Sequence, residues 1–73
     1  MTDKEKNILL HTLGHTGYRN YFVADEGHAD WSILESLVGI GCMWKRTAPF
    51  SPGFVFHVTE LGQKEIGVHY QKD

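Results

Sequence analysis

Three groupings of side chains in this sequence have types and spacings that could do chemistry. His11 and His15 stand four apart, which on a continuous helix puts two imidazoles on one face, and with His28 they form a set of the kind zinc uses. Gly14 lies between them and reads as a helix stop, and no cysteine is near enough to complete the set. Scattered surface histidines therefore explain the three better, and no metal is expected. Cys42 would stand beside His57 if their segments paired as strands, giving a thiol next to a base. Cysteine is among the most frequently buried residues, and nothing nearby in sequence supplies an oxyanion hole or a third group to orient the base. Asp25, Glu26 and Asp30 fit a solvated turn and a helix cap better than a general acid–base pair. The glycines lack the spacing and the Lys-Ser/Thr ending of a phosphate loop. The expectation is a protein that is not an enzyme, uses no cofactor, and works by binding a macromolecule.

The remaining candidates are binding residues. Lys45-Arg46 is the only adjacent basic pair, beside Trp44. It reads either as a phosphate contact or as charge that protects an edge strand. Phe50 sits between Pro49 and Pro52, either as an interface anchor at a loop tip or folded back over its own hairpin. Tyr18, Arg19 and Tyr21 are of the types most enriched at interface hot spots, although the two tyrosines would serve equally to lid a small core. Asp3, Lys4 and Lys6 complete the candidate partner-binding set, Asp3, Lys4, Lys6, Tyr18, Arg19, Tyr21, Lys45, Arg46 and Phe50.

The elements that must position these residues follow from local pattern. Thr2 and Glu5 have capping-box spacing, and Ile8, Leu9 and Leu13 give an apolar stripe, which predicts a helix over 3–13. Gly14, Gly17 and Gly27 break up the next stretch. Within it, residues 18–24 read as a short helical turn in preference to an extended segment, before the turn Asp25 to His28. Asp30 is a suitable N-cap for a second helix over 30–38, with Trp31, Leu34, Leu37 and Val38 on one face. Residues 42–47 and 54–58 read as two strands of a hairpin around the proline-containing loop. Thr59 opens a last helix to about His69, weakened by Gly62 and Gly67. The fold class expected is α+β: three helices and a two-stranded antiparallel hairpin in a single domain spanning 1–73. Its core is expected to hold Leu9, Leu13, Phe22, Leu34, Leu37, Val38, Met43, Phe56, Val58, Leu61 and Ile66.

Composition sets the outer bounds. Seventy-three residues are enough for one domain, and a 41% hydrophobic, 22% charged composition is that of a globular chain. One cysteine allows no internal disulfide and fits a reducing, cytoplasmic setting. No apolar run suits a membrane span, and the charged N-terminus does not read as a signal peptide. A net charge of −2 lacks the basic excess of an isolated DNA-binding module.

The stretch Leu34-Glu35-Ser36-Leu37-Val38-Gly39-Ile40-Gly41-Cys42-Met43-Trp44-Lys45-Arg46, with Phe56-His57-Val58-Thr59-Glu60-Leu61-Gly62-Gln63-Lys64-Glu65-Ile66, resembles the end of a winged-helix domain. There a helix ends in glycine, a basic strand opens the wing, and a second strand runs into a Thr-Glu-x-Gly helix start. The resemblance weakens upstream: residues 18–29 must supply a further helix, and the helix that would enter a DNA groove carries Asp30 and Glu35 but no Lys or Arg. The Arg19-Asn20-Tyr21-Phe22 segment before this half-wing is similar to that of small phage proteins, and the whole chain resembles phage-encoded inhibitors of host RNA polymerase. That resemblance implies binding to the polymerase β′ subunit near its N-terminus, inhibition of initiation, and antitermination. It carries over no residue roles. The alternative it leaves is a winged-helix DNA-binding repressor, with Lys45, Arg46 and Arg19 on phosphates.

Overall fold

The computed structural model describes residues 1–71. The elements run α1 (Asp3–Thr12), β1 (Phe22–Ala24), α2 (Trp31–Gly39), β2 (Met43–Thr47), β3 (Phe54–Val58) and α3 (Glu60–Ile66). The fold is α+β, as the sequence pattern predicts, but its sheet has three antiparallel strands in the order β1-β3-β2. The third strand comes from the segment read as a helical turn: Phe22, Val23 and Ala24 pair with Phe56, Val55 and Phe54. β2 and β3 form the expected hairpin, with Met43 opposite Val58 and Trp44 opposite His57.

Each helix end has an identifiable cause. In α1 the capping box forms in full: the Thr2 hydroxyl accepts from the Glu5 amide at 3.2 Å, and the Thr2 amide donates to the Glu5 carboxylate at 2.8 Å. Asp30 stands at the start of α2 but makes no side-chain cap, because its backbone (φ −96°, ψ 9°) is not extended as a capping residue requires. Its own amide donates to Nδ1 of His28 instead. In α3 the Thr59 hydroxyl accepts from the Gly62 amide, and the helix stops at Ile66, short of His69, because Gly67 turns left-handed at φ 69°.

The three helices cover the inner face of the sheet, and Leu9, Leu13, Leu34, Leu37, Met43, Phe56 and Val58 are buried between them with Ile8, Ala24 and Cys42. Phe22, Val38 and Ile66 pack at the edge of this core. Leu61, expected inside, is 47% exposed. The side of α3 that faces inward is that of Gly62 and Ile66; Gly62 is buried against the Cys42 carbonyl, and Leu61 is rotated away. Between β1 and β2 the described residues contain a single α-helix, where a helix-turn-helix requires two. Among the described residues no helix is long and apolar enough to cross a membrane.

Candidate functional site on the outer sheet face

Side chains of a strand alternate between its two faces, and this alternation sorts the candidate residues. Along β2, Met43 and Lys45 turn inward, while Trp44 and Arg46 turn outward. The basic pair of the sequence is therefore split. Lys45 Nζ lies 2.6 Å from Glu35 Oε1 of α2, and 5.1 and 4.9 Å from the ring centroids of Trp31 and Phe54. It is an inward-pointing charge on an edge strand, a device that discourages pairing with another chain. Being already paired with a carboxylate on the inner side, it is not placed as the phosphate contact the repressor reading assigned to it.

Arg46 meets β3 on the other side. Its Nε–H donates to His57 Nε2 at 3.0 Å, and His57 Nδ1 lies 2.6 Å from the Asn20 carbonyl oxygen. A guanidinium can only donate, so Nε2 is the acceptor and the ring proton is assigned to Nδ1, which donates to Asn20. The Trp44 indole lies over the same imidazole, with centroids 4.5 Å apart and planes tilted by 31°. Asn20 holds the arrangement from below: its side chain accepts from the Val58 amide at 2.7 Å and donates to the Val58 carbonyl at 3.1 Å. This amide side chain imitates a strand partner, and it continues the β1–β3 register back by two residues. In that register Tyr21 stands opposite His57, so Tyr21, His57 and Trp44 cross the sheet as a row of three rings. Val23, Val55 and Arg46 form the next row.

Arg19 borders this face and acts as a clamp. One terminal nitrogen donates to the His11 carbonyl at 2.7 Å, in the last turn of α1, where cations are favoured. The other donates to the Tyr18 hydroxyl, and the guanidinium lies 5.5 and 5.7 Å from the Tyr18 and Tyr21 centroids. Both tyrosines stay in solvent, Tyr18 at 64% and Tyr21 at 54% exposure, so neither is a lid on the core. Phe50 is 99% exposed at the hairpin tip and does not fold back. Asp3, Lys4 and Lys6 are exposed in the first turn of α1. Lys4 is seven residues before His11, about 10 Å along the helix axis, so these three do not share a patch with Arg19. The structure thus brings together Tyr18, Arg19, Tyr21 and Arg46, and leaves Lys45, Phe50 and the N-terminal residues elsewhere.

Trp44, His57, Val23 and Tyr70 complete the surface and are not among the binding candidates that the sequence offers, His57 having entered only as a possible base beside Cys42. Alternation along 43–47 and 54–58 is the signal that places Trp44 and Arg46 with Val55 and His57. The shallow groove over this face is lined by Tyr18, Arg19, Asn20, Tyr21, Val23, Arg46, Val55, His57 and Tyr70, which include two arginines and no carboxylate.

The groupings considered for catalysis and metal binding do not assemble. Cys42 belongs to the buried core, whereas His57 is committed to Asn20 and Arg46 on the outer face. Burial, and then the charges of Glu65 and Glu5, push the Cys42 thiol above its ordinary pKa, opposite to what a nucleophile needs. His15 has left the helix at φ 67°, which breaks the helical spacing from His11. Among the described residues no three His, Cys, Asp or Glu side chains are grouped to hold a metal ion. Comparisons with protein-family models, curated proteins and solved structures give no match to this chain.

Proposed function

We propose that this chain is a regulatory protein that acts by docking on a protein partner, and that the partner is host RNA polymerase, engaged at the N-terminal region of its β′ subunit. The observation that carries the docking reading is Phe50, a large apolar side chain held wholly in solvent between two prolines. A fully exposed aromatic on a short, stiffened tip contributes nothing to the core and loses little conformational freedom when it enters a pocket. Tyr18 and Tyr21 offer further amphipathic rings, and Asp3, Lys4 and Lys6 a separate charged contact at the far end of α1. The choice of polymerase rests on the likeness to phage inhibitors of that enzyme, and the outcome expected is inhibited initiation with antitermination. The chain's −2 charge is compatible with the basic surfaces around nucleic-acid channels.

The repressor reading fits less well. Lys45 is paired with Glu35, and α2, the only helix between β1 and β2, carries no lysine or arginine. The test is co-purification of the full chain with purified core polymerase. Retention at micromolar concentration is expected, with Phe50→Ala weakening it by at least about tenfold, the effect of losing a hot spot. No retention of the wild-type chain overturns the proposal.

A further inference from the structure

We propose that the outer sheet face is a platform for single-stranded nucleic acid, with bases stacked on Trp44 and Tyr21 and phosphates held by Arg46 and Arg19. This goes beyond the polymerase reading and does not depend on it. Three observations support it. The first is the row of rings: Trp44 is 49% and Tyr21 54% exposed, and they flank His57 on neighbouring strands of one sheet. Adjacent strands are about 4.8 Å apart, so the two outer rings stand about 10 Å from each other, within reach of nearby bases on one extended strand. Exposed rings on a sheet give sequence-tolerant stacking because every base has a π-face.

The second observation is that the rings are held in place. Trp44 lies on the His57 imidazole, which is fixed at both nitrogens by Asn20 and Arg46. Tyr21 lies against the Arg19 guanidinium, which is fixed to the His11 carbonyl. The platform is ordered before any ligand arrives, which lowers the cost of binding.

The third is charge complementarity. The chain is acidic overall, yet the groove around Tyr21 holds two arginines and no carboxylate, and the adjoining groove that holds Trp44 adds Lys64 and a single carboxylate, Glu60. Arg46 spends only Nε–H on His57; among the described residues its terminal nitrogens make no hydrogen bond, leaving the planar end of the fork for a phosphate. A bare apolar docking surface would not need this excess of basic over acidic side chains. Duplex DNA presents its bases edge-on inside grooves, so its stacked bases offer no free face to the Trp44 and Tyr21 rings.

The experiment is an NMR titration of the full-length chain with oligouridylate and oligothymidylate octamers, a DNA duplex, and an oligoglutamate peptide. The two indole N–H signals separate the platform from the core. With the single strands, the Trp44 indole and the amides of 21–23, 44–46 and 55–57 should shift, while the Trp31 indole stays in place. Preference for the uridylate strand would assign RNA, and preference for the thymidylate strand single-stranded DNA. Affinity should fall with salt at a log–log slope of about −1.4, the value for two phosphate contacts on a single strand. Arg46→Gln should lower that slope by about 0.7. Trp44→Ala should weaken binding by at least about tenfold, and Trp44→Phe should restore most of it. Lys45→Met, on the inner side, should change neither. Because the shifts are read on the wild-type chain, a variant that fails to fold leaves the test intact. Absence of shifts at millimolar strand, shifts confined to the 48–53 loop or to α1, or equal response to oligoglutamate would each overturn the proposal, the last by assigning the face to an acidic peptide.

Discussion

Replacing Gly62 with alanine sets helix propensity directly against packing. In an exposed helix, glycine to alanine gains up to about 1 kcal/mol. In this fold a Cβ on Gly62 would lie 2.3 Å from the Cys42 carbonyl oxygen and 2.7 Å from Val58 Cγ1. Ordinary contact begins at 3.4 Å, so the start of α3 would have to retreat by roughly 1 Å. It is not free to do so. The Cys42 carbonyl also accepts from the Thr59 amide at 3.0 Å, and the Thr59 hydroxyl joins the Gly41 carbonyl to the Gly62 amide. Moving the helix strains its cap and the entry to β2 together. Overpacking of this kind costs about 1–3 kcal/mol, and a backbone atom as the obstacle puts it at the upper end. After the propensity gain, the net loss is about 2 kcal/mol. For a domain of this size that lowers Tm by about 10 °C. Thermal unfolding followed by circular dichroism measures it, with Gly39→Ala as the control. A Cβ there meets nothing within 4 Å, and its Tm should match or exceed that of the wild type. A Gly62→Ala protein as stable as wild type would refute the close approach of α3 to the Cys42 carbonyl.

Leu37 is fully buried in the core, so Leu37→Ala should cost about 2–5 kcal/mol in urea unfolding, and an unchanged midpoint would remove Leu37 from the core. The Glu5 carboxyl is held below its ordinary pKa, chiefly by the Thr2 amide and then by the Thr2 hydroxyl. A depressed folded-state value means this stabilisation is present above the unfolded pKa, about 4.3, and is lost as pH falls through the lower folded value. Glu5→Gln should therefore flatten the acid limb of a Tm-against-pH curve, and an unaltered limb would show that the capping box does not sense pH.

What was readable in the sequence depended on how much of each signal lay within one segment. The capping box of α1 and the β2–β3 hairpin are local, and both appear as read. β1 is only three residues long, and its identity comes from a partner 34 positions away, opposite Phe56, so no window around Phe22 contains the information. The inward side of α3 is hidden in the sequence because Gly62 has no side chain to register as apolar, although its lack of one is what lets the helix approach. The Lys45-Arg46 pair reads as one unit along the chain, whereas a strand distributes neighbours across two faces; the outer sheet face is built from every second residue of three strands. Phe50, Tyr18 and Tyr21 stand out in the sequence by residue type, but whether they are exposed or folded back is settled only by where the loops run.

The strand order has a consequence for how the chain folds as it is made. β3 is the middle strand, yet it is the last of the three to be synthesised, and both β1 and β2 pair only with it. Until residues 54–58 have left the ribosome there is no sheet at all. The inward faces of α1 and α2 then have only each other to cover them, and β1 waits as an unpaired segment. The hairpin can form locally, but joining β1 requires closing a long loop, which slows folding and exposes apolar surface meanwhile. A nascent chain stalled within the 48–53 loop should therefore be protease-sensitive throughout, and one extended past Val58 should become resistant in a single step.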